Sequence, residues 1–185
     1  GAGGADRSCV ANGGMLDWDE VEGQWVQPAA GDSGGALGAA LWVQHHLEGQ
    51  ARTPDPMRQH GSRLGPRYST EEVIEGLASV GLSGAVSTDE ELFGKSAEIL
   101  AGGGTVGFFQ GRLEFGPRAL GGRTILADPR SDSAKERLNA TVKFREPFRP
   151  FAPAVLAETC HKWFDVPEGW ESPYMLLTAP VRRKR

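Results

Sequence analysis

Cysteine is scarce in this chain: Cys9 and Cys160 are the only two among 185 residues. They form no C-x-x-C pair and sit beside no metal-like histidine spacing, which excludes a zinc ribbon and a disulfide framework and suits a reducing compartment. No run of about 18 apolar residues and no charged-then-apolar leader occurs, so no segment reads as membrane-spanning or targeting, and a cytoplasmic location is expected. Internal repeats and low-complexity tracts are absent too. Hydrophobic residues at 39% and charged residues at 24% match a folded globular chain of one large domain or one and a fraction. With 26 Gly and 12 Pro, tight turns are expected and a helical bundle is not. The sequence opens Gly-Ala-Gly without Met and closes on Arg182-Arg183-Lys184-Arg185 directly after an apolar pattern, as expected of a fragment.

Charge is uneven. Residues 1 to 111 carry 6 Lys and Arg against 15 Asp and Glu, residues 112 to 149 carry 9 against 5, and the remainder 5 against 4. An acidic chain that gathers its cations in one stretch presents that stretch to an anion. Overall acidity argues against a broad nucleic-acid face, so a compact phosphate ligand is the better fit.

Apolar spacing from Ala36 to Leu47 predicts a helix over about 34–48, with Asp32 or Ser33 as N-cap. Residues 49–67 are rich in Pro and Gly and poor in apolar residues, so they read as an extended linker. The domains are expected at 1–50 and 68–185. Ser69-x-x-Glu72 and Thr88-x-x-Glu91 have capping-box spacing ahead of helical apolar patterns. Residues 105–109, 124–127, 154–156 and 174–178 read as buried strands, with a helix through Glu136, Leu138 and Val142 between the second and third. That alternation indicates an α/β (α+β) fold. Trp163 and Phe164 read as core.

Two motifs fail on context. Gly31-Asp32-Ser33-Gly34-Gly35 spells a serine-protease nucleophile, yet no histidine precedes Ser33 and the motif opens a helix. Gly102-Gly103-Gly104-Thr105-Val106-Gly107 fits G-x-G-x-x-G, but here a helix ends and a strand follows, the reverse of a dinucleotide site. Those glycines suit a helix C-cap. His45 and His46 are adjacent on a helix and cannot both face one metal, so they read as surface residues.

The chemistry concentrates in two clusters. Residues 110–130 place Arg112, Arg118, Arg123 and Arg130 among glycines and two prolines. Arginine forks and close-approaching glycine amides make an anion clamp, with Glu114 placed to orient Arg112 or Arg118 or to hold a metal-bound water. Residues 143–151 then pair Lys143, Arg145 and Arg149 with three Phe and two Pro. In a β-like stretch these three cations would share one face.

Taken together, Gly116-Pro117-Arg118-Ala119-Leu120-Gly121-x-Arg123-x-Ile125-Leu126-Ala127-Asp128-Pro129-Arg130, Leu138-Asn139 and Lys143-Phe144-Arg145-Glu146-x-Phe148-Arg149-Pro150-Phe151-Ala152-Pro153 resemble the C-terminal domain of the O-carbamoyltransferases of nodulation-factor and antibiotic biosynthesis. Residues 26–40 resemble the end of that family's first, actin-like ATPase-fold domain, and Gly3 to Asn12 a family segment near the adenosine. The resemblance implies a YrdC-like mixed twisted sheet with flanking helices, preceded by the C-terminal remnant of the actin-like domain. It implies carbamoyl phosphate and ATP as ligands, carbamoyl adenylate as the intermediate, and transfer to a hydroxyl-bearing small molecule. Arg118, Arg123, Lys143 and Arg145 would be catalytic. Arg112, Glu114, Asn139, Arg149, Gly34, Gly35 and Asn12 would bind substrate or nucleotide, and Asp32 would hold a metal. A divalent metal is implied, Mg with ATP and Fe as the candidate at the actin-like site; a homodimer is the candidate assembly. The alternative is a nucleotide- or RNA-binding YrdC-like module without transfer activity, and a third reading is a remnant that binds nothing.

Overall fold

A computed structural model describes Ser8–Met15, Trp18–Glu20, Glu22, Gln24, Gln27–Ala29, Gly31–Asp55 and Gln59–Arg182, the side chain of His60 excepted. Gly3–Arg7 of the segment that resembles the family's adenosine-side stretch, and Val26 and Ala30 of the 26–40 stretch, lie outside these residues. The chain divides into two compact units.

The unit formed by Pro66–Leu113 and Gly121–Pro153 begins with helices α3 (Thr70–Ser79) and α4 (Asp89–Ala101). Each starts on the capping box its sequence spells. The Ser69 and Thr88 side chains accept from the Glu72 and Glu91 amides at 3.2 and 3.3 Å, and those glutamates accept in return from the cap amides at 2.7 and 3.0 Å. Helix α4 stops at the three glycines: Gly103 takes φ +81°, and the Gly104 amide donates to Ile99 O at 2.8 Å. A Cβ on Gly104 would lie 2.6 Å from Ile99 Cγ2, so only glycine fits this reversal. Strands β1 (Thr105–Phe109) and β2 (Arg123–Ala127) follow, antiparallel, with Thr105 opposite Ala127 and Phe109 opposite Arg123. Val106 and Phe108 are the half-buried positions of β1, and the Phe108 ring meets Phe93 of α4 at 6.3 Å between centroids. Alternate side chains of the strand thus carry the helix. Helix α5 (Ala134–Leu138) then widens into a π-turn over Asn139–Lys143.

The second unit comprises the described residues up to Gly65, Glu114–Leu120, and Ala154 onward. It contains α1 (Cys9–Met15), α2 (Asp32–Trp42, continuing as a π-turn over Val43–Leu47) and the short α6 (Cys160–Trp163). Helix α1 is pinned from far along the chain: Asn12 is buried, its Nδ2 donates to Leu176 O at 3.0 Å, and Thr178 Oγ1 donates to Cys9 O at 3.3 Å. The N-cap of α2 is Gly31, without a side-chain cap bond, so Asp32 lies in the first turn instead of capping it.

Mixed helix and antiparallel sheet is the observed class. Two of the four expected strands do not form. Residues 154–156 are exposed and form no regular element, following Pro150 and Pro153, and residues 174–178 start in a turn and continue without regular structure. Apolar β-prone runs without a neighbouring strand make no ladder; in this part of the chain an isolated bridge joins Phe164 and Val181, outside both runs. Trp163 is 59% exposed and Phe164 half-buried, which corrects their reading as core. Among the described residues no helix is long and apolar enough to cross a membrane.

The capping boxes yield a direct expectation. Thr88→Ala removes the acceptor for the Glu91 amide and should lower unfolding stability by about 1 kcal/mol, read from the denaturation midpoint; no change would mean that α4 starts without its box.

Candidate functional site

The 139–151 segment does not run as a strand. At the end of the π-turn, Phe144 adopts φ 47°, ψ 52°, and the chain doubles back so that the Arg145 amide donates to Asn139 O at 3.0 Å. Lys143, Arg145 and Arg149 are therefore not displayed on one strand face. Asn139 is 1% exposed and uses both ends of its amide. Nδ2 donates to Arg149 O at 3.0 Å and to Pro147 O at 3.4 Å, while Oδ1 accepts from Arg145 Nε at 2.7 Å. A buried amide must satisfy both its donor and its acceptor groups, and this turn is the arrangement that does so.

The consequence is a fixed guanidinium. Arg145 Nε is held by Asn139, Nη2 donates to Pro150 O at 3.2 Å, and the guanidinium carbon stands 4.7 Å from the Phe151 ring centre. Three restraints on one side chain remove most of the rotamer freedom that anion binding would otherwise have to freeze. Arg145 lines an open depression of about 610 Å³ together with Asn139, Ala140, Phe144, Glu146 and Arg149. Arg149 Nε sits 3.1 Å from Glu146 Oε2, both side chains about half exposed. Such an exposed pair is weak, so an anion can compete for Arg149. The structure thus brings Asn139, Arg145 and Arg149 together, with Lys143 exposed on the preceding turn. Phe144 and Glu146, which no site reading singled out, share the depression.

Arg112 follows β1 and Arg123 opens β2, both exposed. Their loop is closed by Gln110, whose amide donates to Gly122 O at 2.7 Å and whose Nε2 donates to Gly121 O at 3.0 Å. Arg130 is committed elsewhere: its Nε and Nη2 bond Asp128 in bidentate fashion.

Glu114 and Arg118 belong to the other unit. Glu114 is 4% exposed, and its Oε1 accepts from the Leu120 amide at 2.8 Å, closing the loop that carries half-buried Arg118. The Phe115 amide donates to Ser62 O at 2.6 Å, and Ser62 is itself buried. The Gly34 amide donates to Ala29 O and the Gly35 amide to Gly31 O, each at 2.8 Å. A Cβ on Gly34 would come 2.5 Å from Ala29 O, so this glycine serves a close backbone crossing. Asp32 is exposed. No group of three or more His, Cys, Asp or Glu able to hold a metal occurs among the described residues; a metal at Asp32 would need ligands from outside them.

Residues 97–185 match the family model described as the carbamoyltransferase C-terminus. This stretch is a carbamoyltransferase C-terminal domain. The chain is 40% identical over 186 residues to the nodulation protein NolNO of Sinorhizobium fredii, covering 100% of this chain and 27% of that protein. It is 34% identical over 185 residues to 3'-hydroxymethylcephem-O-carbamoyltransferase of Streptomyces clavuligerus, covering 99% of this chain and 32% of that enzyme. It is also 50% identical over 188 residues to an uncharacterized protein of Synechocystis sp., covering 99% of this chain and 30% of that protein. The chain thus spans less than a third of the length of these curated relatives. The stretch matching the carbamoyltransferase C-terminus takes in both strands, the Glu114 loop and the whole Asn139 turn.

The Asp128–Arg130 pair inside that stretch titrates. Side-chain and then backbone hydrogen bonds from Arg130 lower the Asp128 pKa to about 2. The pair's contribution to stability is therefore present above the ordinary carboxylate range and is lost as pH falls through that range toward 2. Arg130→Ala should return the carboxyl to an ordinary value near ~4, followed by the pH dependence of its carbon chemical shift in NMR; an unshifted midpoint would exclude Arg130 as the cause.

Proposed function

We propose that this chain supplies the donor side of an ATP-dependent O-carbamoyltransferase: it binds carbamoyl phosphate and ATP, and promotes formation of carbamoyl adenylate for transfer to a hydroxyl of a small molecule. The observation that carries this is the fixed Arg145 guanidinium facing an open depression beside Arg149. Catalysis of phosphoryl and adenylyl transfer is mostly positioning plus stabilisation of charge on oxygen, and a guanidinium fixed in advance needs no reorganisation as that charge develops. In this reading Arg145 and Arg149 hold the anion in the depression, Lys143 adds charge beside it, and Arg112 and Arg123 are the further cations of the same unit for the remaining phosphate oxygens. Asn139 acts inside the turn, where burial keeps it from the ligand and its Oδ1 sets the direction of Arg145.

The same reading assigns a YrdC-like architecture to the C-terminal stretch and the end of an actin-like domain to α2. It assigns Mg with ATP and a further metal at Asp32, and it places the reaction in the cytoplasm. No nucleic acid is needed. The acidic helices α3 and α4, with Glu71, Glu72, Glu75, Asp89, Glu90, Glu91 and Glu98, suit a small anion better than a polynucleotide backbone.

Calorimetric titration with carbamoyl phosphate and with ATP tests this. Arg145→Ala should weaken at least one of the two by roughly tenfold or more, the scale of one charge-assisted bidentate contact, with far-ultraviolet circular dichroism showing the helices retained. Equal binding by both proteins would remove Arg145 from the site. An RNA oligonucleotide bound more tightly than ATP, with a steep salt dependence, would replace the transferase reading by the nucleic-acid one.

A further inference from the structure

Phe144 is the most exposed large apolar side chain among the described residues, at 82%. It also occupies a backbone position that disfavours it. Its left-handed conformation, φ 47° and ψ 52°, has a clear local cause: the amides of Phe144 and Arg145 both donate to Asn139 O, and a left-handed residue is what reverses the chain after a helical turn. Gly or Asn would make that reversal with less steric strain. Packing does not explain the phenylalanine either. The ring against which Arg145 rests is Phe151, and Phe144 makes no ring contact among the described residues. Phe144 is instead one of the residues bordering the depression that contains Arg145 and Arg149. Residues held in sparsely populated conformations are kept where they serve a site.

We propose that Phe144 is a stacking platform for the planar base of a nucleotide whose phosphates lie on Arg145 and Arg149. This rests on the anion-binding reading above and narrows it. Carbamoyl phosphate has no ring and gains nothing from an exposed aromatic face, whereas a nucleoside phosphate joins a planar base to an anion across one sugar. The residues bordering the depression bring those two recognition chemistries, one exposed aromatic side chain and two guanidinium groups, within six residues of chain. Stacking accepts any base but favours the larger purine face. The 139–151 turn therefore receives the nucleotide, and Phe144 sets its selectivity for a nucleotide over a ring-free polyphosphate.

The test compares ATP with inorganic tripolyphosphate by calorimetric titration of wild type, Phe144→Ala, Phe144→Trp and Phe144→Gly. Wild type should bind ATP more tightly than tripolyphosphate. Phe144→Ala should weaken ATP by about tenfold and leave tripolyphosphate within about twofold, while Phe144→Trp keeps ATP affinity. Phe144→Gly should lose ATP affinity in the same way with a melting temperature equal to or above wild type, because glycine relieves the left-handed strain; this keeps ligand loss distinct from unfolding. Equal wild-type affinity for ATP and tripolyphosphate, or an unchanged ATP affinity in Phe144→Ala, overturns the stacking role while the anion site stands; that is the outcome if the ring is instead covered by polypeptide. Parallel loss of ATP and tripolyphosphate in Phe144→Ala also overturns it, since the ring would then act by shaping the turn. Binding of neither compound by wild type overturns the anion site and the stacking role with it.

Discussion

The hydrogen bond from Arg145 Nε to Asn139 Oδ1, 2.7 Å long and closed off from water on the asparagine side, is the contact on which the rest of the candidate site depends. A guanidinium on a flexible stem is a poor anion receptor until it is immobilised, and immobilising it on binding costs affinity. Here the cost is met during folding. The asparagine amide is itself fixed by two backbone carbonyls, Pro147 and Arg149, so the direction of Arg145 is set by the turn as a whole. The bond is charge-assisted and part-buried, and its loss would leave the buried Asn139 oxygen without this donor.

The two arginines of the depression have different partners, and that difference has chemical meaning. Arg145 is held by neutral groups, a side-chain amide, a carbonyl and an aromatic face, none of which neutralises its charge. Arg149 is paired with Glu146 across an exposed i,i+3 contact, a weak interaction that an incoming phosphate can replace. Arg130, by contrast, is fully engaged by Asp128. Three arginines close together in sequence thus have three electrostatic states, and only their partners distinguish receptor from structural pair.

Much of the local structure was legible because its signals are local. The Ser69 and Thr88 capping boxes and the glycine stop after Ala101 need only neighbouring residues to form, and the runs expected as strands at 105–109 and 124–127 find each other as partners across one loop. What escaped the sequence depends on distant or side-chain partners. Helix α1 hides behind Gly13 and Gly14, which lower helix propensity, and is secured by a bond from Asn12 to Leu176 O, 164 residues away. Residues 154–156 and 174–178 have strand composition but no strand beside them. In the site, alternation suggested a strand bearing Lys143, Arg145 and Arg149 on one face. The buried amide of Asn139 and the left-handed Phe144 impose a turn instead, and a side-chain amide that binds two backbone carbonyls and one guanidinium has no periodic signature. Glu114 shows the same limit: its neighbours suggested a carboxylate that orients Arg112 or Arg118 or holds a metal-bound water, and nothing in the pattern announced its burial or the bond it accepts from the Leu120 amide.

The central claim is that Arg145 is oriented before any ligand arrives, and the arginine Nε–Hε resonance in ligand-free NMR tests it most directly. The account predicts a shifted Arg145 Hε signal whose exchange with water is slowed at least about tenfold relative to exposed arginines, and its collapse to the exposed-arginine position in Asn139→Ala. An Arg145 Hε that exchanges as fast as an exposed arginine's in the wild-type chain would contradict the account.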